Sequence, residues 1–148
     1  TIKRMVREIF PLTAVLTVTL KELGVLGGIP PETPEEIAAG MRRLREMGPK
    51  CVVVEDAPAP EGTAVRVCDE AGEESLAAGP AAAVLAGGGS LFSAALTAAL
   101  ACGAGPREGA RFADAFLRRA AAAAETPGKG LPMAVRMPVM SCNAATSE

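Results

Sequence analysis

Between Thr33 and Val54 the chain spells out a complete helix and, directly after it, a short strand without a polar residue. Thr33 can cap, Pro34 suits the first helical position, and Glu36 completes a capping box with Thr33. Ile37, Met41 and Leu44 then recur at helical spacing, and Gly48-Pro49 ends the helix. Cys51-Val52-Val53-Val54 follows, an apolar run that predicts a central strand. Upstream, Leu12 to Thr17 predicts a second strand buried on both faces. A short amphipathic helix with Ile2, Met5, Val6 and Ile9 precedes it and stops near Pro11. Residues 19–26 predict a brief helix closed by Gly27-Gly28. Strands alternating with helices predict an α/β fold: a mostly parallel sheet with flanking helices.

Further along, Pro58 and Pro60 are placed in a loop. Thr63 to Cys68 alternates, and Asp69-Glu70-Ala71-Gly72 can turn it into an antiparallel partner. Ala81 to Ala86 is expected to form a last strand before Gly87-Gly88-Gly89. The next helix buries Phe92, Ala95, Leu96, Ala99 and Leu100; Gly103 to Pro106 leads to another with Phe112, Phe116, Leu117 and Ala120 facing inward. After Thr126 the periodicity dissolves. The expected organisation is one folded region over residues 1–126 and an extended arm over 127–148.

Composition narrows the function. Half the residues are hydrophobic (49%) and 22% are charged, a globular balance. About one residue in five is alanine and the only aromatics are four phenylalanines, so each core position buries little area, and either modest stability or a partner that covers some of the apolar surface is expected. A net charge of −2, no long basic run and no Tyr or Trp for stacking argue against nucleic-acid binding. Gly, Pro or charge interrupts every apolar stretch, so no transmembrane helix is predicted. Without histidine, a zinc site or a histidine-dependent triad is not expected. Cys51, Cys68 and Cys102 read as buried thiols and Cys142 as a tail residue, a pattern that suits a reducing, intracellular setting.

Four segments, in order, resemble the pyridoxal kinases of the ribokinase-like superfamily. Leu16-Thr17-Val18-Thr19-Leu20-Lys21-Glu22 is similar to that family's I-T-P-N-x-x-E, and Met47-Gly48-Pro49 with Val52-Val53-Val54 to its M-G-P-x-x-V-V-I. Ala57-Pro58-Ala59-Pro60-Glu61-Gly62 resembles its L-P-S-P-x-G loop, and Ala83 to Phe92 its A-V-F-V-G-T-G-D-L-F. The likeness runs from about residue 2 to residue 124 and implies a truncated ribokinase-like fold: the half that carries ATP binding and the catalytic base, without the preceding half that carries much of the substrate pocket.

A glycine-rich turn ahead of a helix aims backbone N–H groups and the helix's partial positive end at one spot. Gly87-Gly88-Gly89 has that composition, so a phosphate-binding remnant is expected there, with a plain tight turn as the bland reading. The resemblance then implies an aspartate base at the next position, where this chain has Ser90, an alcohol read here as a helix N-cap. Loss of such a base typically costs about 10²–10⁴ in rate. Some related hydroxymethylpyrimidine-type kinases resemble this pattern with a cysteine there. Thr17 falls in the nucleotide-facing segment; Thr19 stands at the family's metal- and phosphate-placing asparagine; and Glu22 matches its glutamate, a candidate for holding a water-bound Mg²⁺ or a plain solvated helix residue. Glu55 and Asp56 replace a nucleotide-facing Thr-Ser, where two carboxylates would repel a triphosphate, and Ala82 replaces an aspartate.

These departures predict a non-catalytic, degenerate kinase-like module, a structural or accessory subunit that contacts other protein subunits through the 127–148 arm and needs no cofactor. The alternatives are an MgATP-dependent pyridoxal or hydroxymethylpyrimidine-type kinase completed by another chain, and a sensor that binds an anion or vitamer without turnover.

Overall fold

A computed structural model describes residues 1–28, 30–81, 84–135 and 140. The chain divides into two compact units, Thr1–Gly79 and Pro80–Glu148. In the first, helix α1 (Ile2–Glu8) leads into a 3-10 turn at Phe10–Leu12, strand β1 (Val15–Thr19), α2 (Leu20–Gly27), α3 (Pro34–Glu46), β2 (Cys51–Ala59), β3 (Gly62–Asp69) and β4 (Gly72–Gly79). β1 begins three residues later than the periodicity suggests, because Phe10-Pro11-Leu12 coils into the 3-10 turn and Phe10 is buried as an anchor.

The α/β class holds; the strand directions need correction. Sheet order is β1-β2-β3-β4, and only β1 and β2 run parallel, in the register Val15↔Cys51 to Thr19↔Glu55. β2–β3 and β3–β4 are antiparallel. Two-residue turns at Pro60-Glu61 and Glu70-Ala71 join these strands, and so short a link cannot return a strand parallel. Asp69 Oδ1 accepts from the Ala71 N–H at 2.9 Å and tightens the second turn. Pro58 lies inside β2, opposite Thr63, rather than in a loop; it sits next to the hairpin end, where a missing N–H is tolerated.

α2 and α3 connect the two parallel strands, and their apolar stripes meet one face of the sheet. Leu23, Ile37, Met41 and Leu44 form a core with Phe10, Val18, Val52, Val54, Ala57 and Cys68. Val53, Val65, Val67 and Leu76 are buried as well, so the sheet is apolar on both faces. Both capping boxes, at Thr33–Glu36 and Thr19–Glu22, are formed.

The second unit contains α4 (Gly88–Ala101) and α5 (Pro106–Ala122). Ala81, Val84 and Leu85 form no strand, contrary to expectation, and Ala82 and Ala83 lie outside the described residues. α4 buries Phe92, Ala95, Leu96 and Ala99, while Leu100 is half-buried. α5 turns a smaller-residue stripe inward than its phenylalanines suggest: Gly109, Ala110, Ala113, Leu117 and Ala120 are buried, and Phe112 and Phe116 only half-buried. Gly109 lets the helices approach; a Cβ there would lie 2.9 Å from Leu96 Cδ1. Buried Asp114 accepts from Arg118 Nε at 2.7 Å, and Arg118 Nη1 donates to the Pro80 carbonyl at 2.6 Å. Past Thr126 the described chain folds back on its own unit: Glu125 and Met133 exchange both backbone hydrogen bonds, and Ala86 N–H donates to Pro132 O. Residues 136–139 and 141–148, with Cys142, lie outside the described residues. Cys51 and Cys68 are buried as expected, whereas Cys102, at the end of α4, is exposed.

Candidate functional site

Parallel strands deliver their loops to one edge, and side chains at their carboxyl ends are the usual place for ligand chemistry in α/β folds. Here the last residues of the parallel pair are Thr19 and Glu55. Thr19 ends β1 and caps α2. Its hydroxyl accepts from the Glu22 N–H at 3.2 Å, and Glu22 Oε2 accepts from the Thr19 N–H at 2.8 Å. Thr17, Thr19, Lys21 and Glu22 share one open groove of about 580 Å³.

On β2 the ladder to β3 slips between Val54 and Ala57, so Glu55 and Asp56 together oppose a single residue. Asp56 takes φ 54°, the left-handed conformation, and is exposed. Glu55 is only 5% exposed, and its carboxyl has no hydrogen-bond or cationic partner among the described residues. Burial pushes its carboxyl up to about 7, helped by the neighbouring charges of Asp56 and Glu22. The two acids therefore act differently: Asp56 carries an exposed charge at the bulge, just past the last parallel pair, while Glu55 is a buried group that is partly protonated near neutrality.

On the second unit, Gly87 takes φ 77° and is itself the N-cap; the helix starts at Gly88. Ser90 is thus not the cap but the third residue of α4, exposed in the first turn. Gly88 N–H donates to Leu85 O and Leu91 N–H to Gly87 O, which leaves the N–H groups of Gly89 and Ser90 without an acceptor among the described residues. Nothing lies within 4 Å of a Cβ built on Gly87. This is donor chemistry suited to a phosphate oxygen.

Thr17, Thr19 and Glu22 are brought together in the first unit; Gly87, Gly88, Gly89 and Ser90 stand together in the second. Ala82 lies outside the described residues. The Thr19–Glu22 box went unread in the sequence although T-x-x-E is its signature, the same one that marks α3. The bulge at Glu55-Asp56 has no comparable signal. As a test of fit, Gly89 and Ser90 would meet a nucleotide's phosphates. A Mg²⁺ ion would lean on those phosphates and on water, since no three Cys, Asp or Glu side chains converge among the described residues and one Glu22 oxygen already serves Thr19.

The fold places this chain in the ribokinase-like α/β class. The sequence pattern of the phosphomethylpyrimidine kinase family matches residues 1–134, and the chain belongs to that family. Its structure is similar to an ADP complex of Bacillus subtilis pyridoxal kinase, with 24% identity, TM-score 0.81, and coverage of 89% of this chain and 51% of that one. It is similar to Staphylococcus aureus pyridoxal kinase in complex with AMP-PCP, with 22% identity, TM-score 0.82, and coverage of 89% and 49%. A candidate phosphomethylpyrimidine kinase from Bacteroides thetaiotaomicron matches at 26% identity and TM-score 0.69, covering 82% and 44%. The chain thus spans about half the length of the structures it matches. No curated protein matches it.

Proposed function

We propose that this chain is a non-catalytic member of its family, a structural or accessory module of a larger protein assembly. The observation that carries the reading is Ser90: an exposed alcohol in the first turn of α4, at the position where the resemblance to pyridoxal kinases calls for a proton-accepting aspartate. A serine hydroxyl cannot take a proton from a substrate alcohol at neutral pH without a base of its own, and the chain has no histidine to supply one. The strand-end groups support the same reading. Thr19 replaces an asparagine and is engaged as a helix cap, Glu22 is tied to that cap, and Asp56 places an exposed negative charge where a nucleotide-facing hydroxyl is expected. The 127–148 arm is proposed as the contact to other subunits, beyond the stretch that pairs with its own unit.

A second reading is favoured by one observation, the N–H groups of Gly89 and Ser90, which have no acceptor among the described residues. They suit an MgATP-dependent kinase of a pyridoxal-like hydroxymethyl ring, completed by another chain. Calorimetric titration separates the two: millimolar MgATP without heat supports the accessory module, and micromolar binding supports the kinase.

A further inference from the structure

The last parallel pair of the sheet is Thr19↔Glu55, and residues paired in register carry their side chains on the same face. Glu55 is 5% exposed, and its carboxyl meets neither a donor nor a cation among the described residues. The charges that act on it are both negative: Asp56 beside it in the bulge, and Glu22 in the first turn of α2. Both of these carboxylates are exposed. The elements alongside do not offset them. Arg66 of β3 stands opposite Val54, one residue along and so on the other face, where Glu73 and the Pro34 carbonyl hold it. Lys21 of α2 is exposed and does not neutralise Glu55.

A carboxylate taken out of water is costly unless a proton or a cation compensates its charge. No cation is built in beside Glu55 among the described residues, so a proton held up to about 7 is what remains. A bound cation does more than a proton, because it also attracts the charges of Asp56 and Glu22. Its chemical class follows from spacing. No three Cys, Asp or Glu side chains converge among the described residues, so the short shell of oxygens that Mg²⁺ or Ca²⁺ requires is not formed. An ammonium or guanidinium group is larger and carries several N–H donors, which reach carboxylates that lie apart.

We infer that the carboxyl end of the β1–β2 pair is a binding site for an organic cation, an ammonium or guanidinium group seated on Glu55 with Asp56 and Glu22 beside it. The resemblance to pyridoxal kinases puts nucleotide-facing hydroxyls at these two positions of β2. Carboxylates in their place reverse the sign of the ligand that the strand end attracts. The inference goes beyond the accessory reading and does not depend on it, since that reading concerns Ser90 and phosphotransfer.

The test titrates the full chain with propylammonium and with propylguanidinium, followed by NMR and by calorimetry at about pH 6.5. Dissociation constants on the order of 1 mM are expected for groups of this size. The bound cation displaces the Glu55 proton, so most of one proton leaves per cation bound, read as a dependence of the heat on the buffer's ionisation enthalpy. Glu55→Gln is expected to abolish that release and to weaken binding about tenfold or more. Asp56→Asn, which keeps the left-handed backbone, weakens binding less, and Glu70→Gln, at an exposed turn position, leaves it unchanged. The same cations should raise the urea stability of the wild type at pH 8 and not that of Glu55→Gln. N-acetylarginine amide separates the sources: binding assigns the site to a side chain of another protein, and exclusion assigns it to a free small molecule. Either result upholds the inference once propylguanidinium binds. No binding of both simple cations at tens of millimolar overturns it, as does binding indifferent to Glu55→Gln. Tighter binding of Mg²⁺ that Glu55→Gln removes makes the site a metal site and overturns it too. A chain that binds these cations and still turns over MgATP upholds the inference and overturns the accessory reading alone.

Discussion

The carboxylate of Glu22 and the backbone N–H of Thr19 meet at 2.8 Å, and the Glu22 N–H returns a bond to the Thr19 hydroxyl at 3.2 Å. The residue that resemblance nominates for a metal-bound water is thus one half of a helix cap. Thr19→Val is expected to cost about 1 kcal/mol of stability in urea denaturation, and Glu22→Gln less, since the glutamine carbonyl still accepts from the Thr19 N–H. The effect should be the same with and without millimolar Mg²⁺. A Mg²⁺-dependent difference between wild type and Glu22→Gln would restore Glu22 to metal chemistry.

Glu55 gives the protein a pH dependence of definite sign. The unfolded chain's glutamate ionises near 4.5, while the folded group holds its proton up to about 7. Between those values the folded state binds more protons, so the group's stabilising contribution is full below pH 4.5 and is lost as pH rises through 7. The loss is on the order of a few kcal/mol. Glu55→Gln should flatten the stability profile in this window and exceed wild type at pH 8, which chemical denaturation across pH 5–8 will read.

Gly48 sits at φ 136° against the 3-10 turn, where a Cβ would lie 2.6 Å from Pro11 N and 2.7 Å from the Phe10 carbonyl carbon. Backbone cannot yield as a side-chain tip can. Gly48→Ala is expected to destabilise by about 2–4 kcal/mol in thermal or urea unfolding. Gly109→Ala meets only the tip of Leu96 and should cost about 1 kcal/mol or less by the same measurement.

What could be read in the sequence was whatever is written locally. α3 announces its start through Thr33, Pro34 and Glu36 and its buried face through Ile37, Met41 and Leu44, and all of these hold. Strand direction is different: the Asp69–Gly72 turn is legible, yet β4, Gly72–Gly79, carries little apolar alternation to mark it as a full sheet member. The apolar run after Pro80 invites a strand, yet Ala81, Val84 and Leu85 form none. Ser90 was displaced from the cap because Gly87, free to take a left-handed conformation, starts the helix earlier. Phe112 and Phe116 gave way to Ala110 and Ala113 because close helix packing rewards small residues over large ones. At the site, residue identities were visible, but the burial that separates Glu55 from Asp56 follows from a bulge with no local signature.

The central claim concerns Ser90 and is tested by a phosphotransfer assay. Pyridoxal and a hydroxymethylpyrimidine are offered with MgATP to this chain, alone and combined with the unmatched portion of Bacillus subtilis pyridoxal kinase. The account predicts no turnover above background in either case, and a Ser90→Ala variant indistinguishable from wild type. Turnover at ordinary kinase rates that Ser90→Ala abolishes would contradict it.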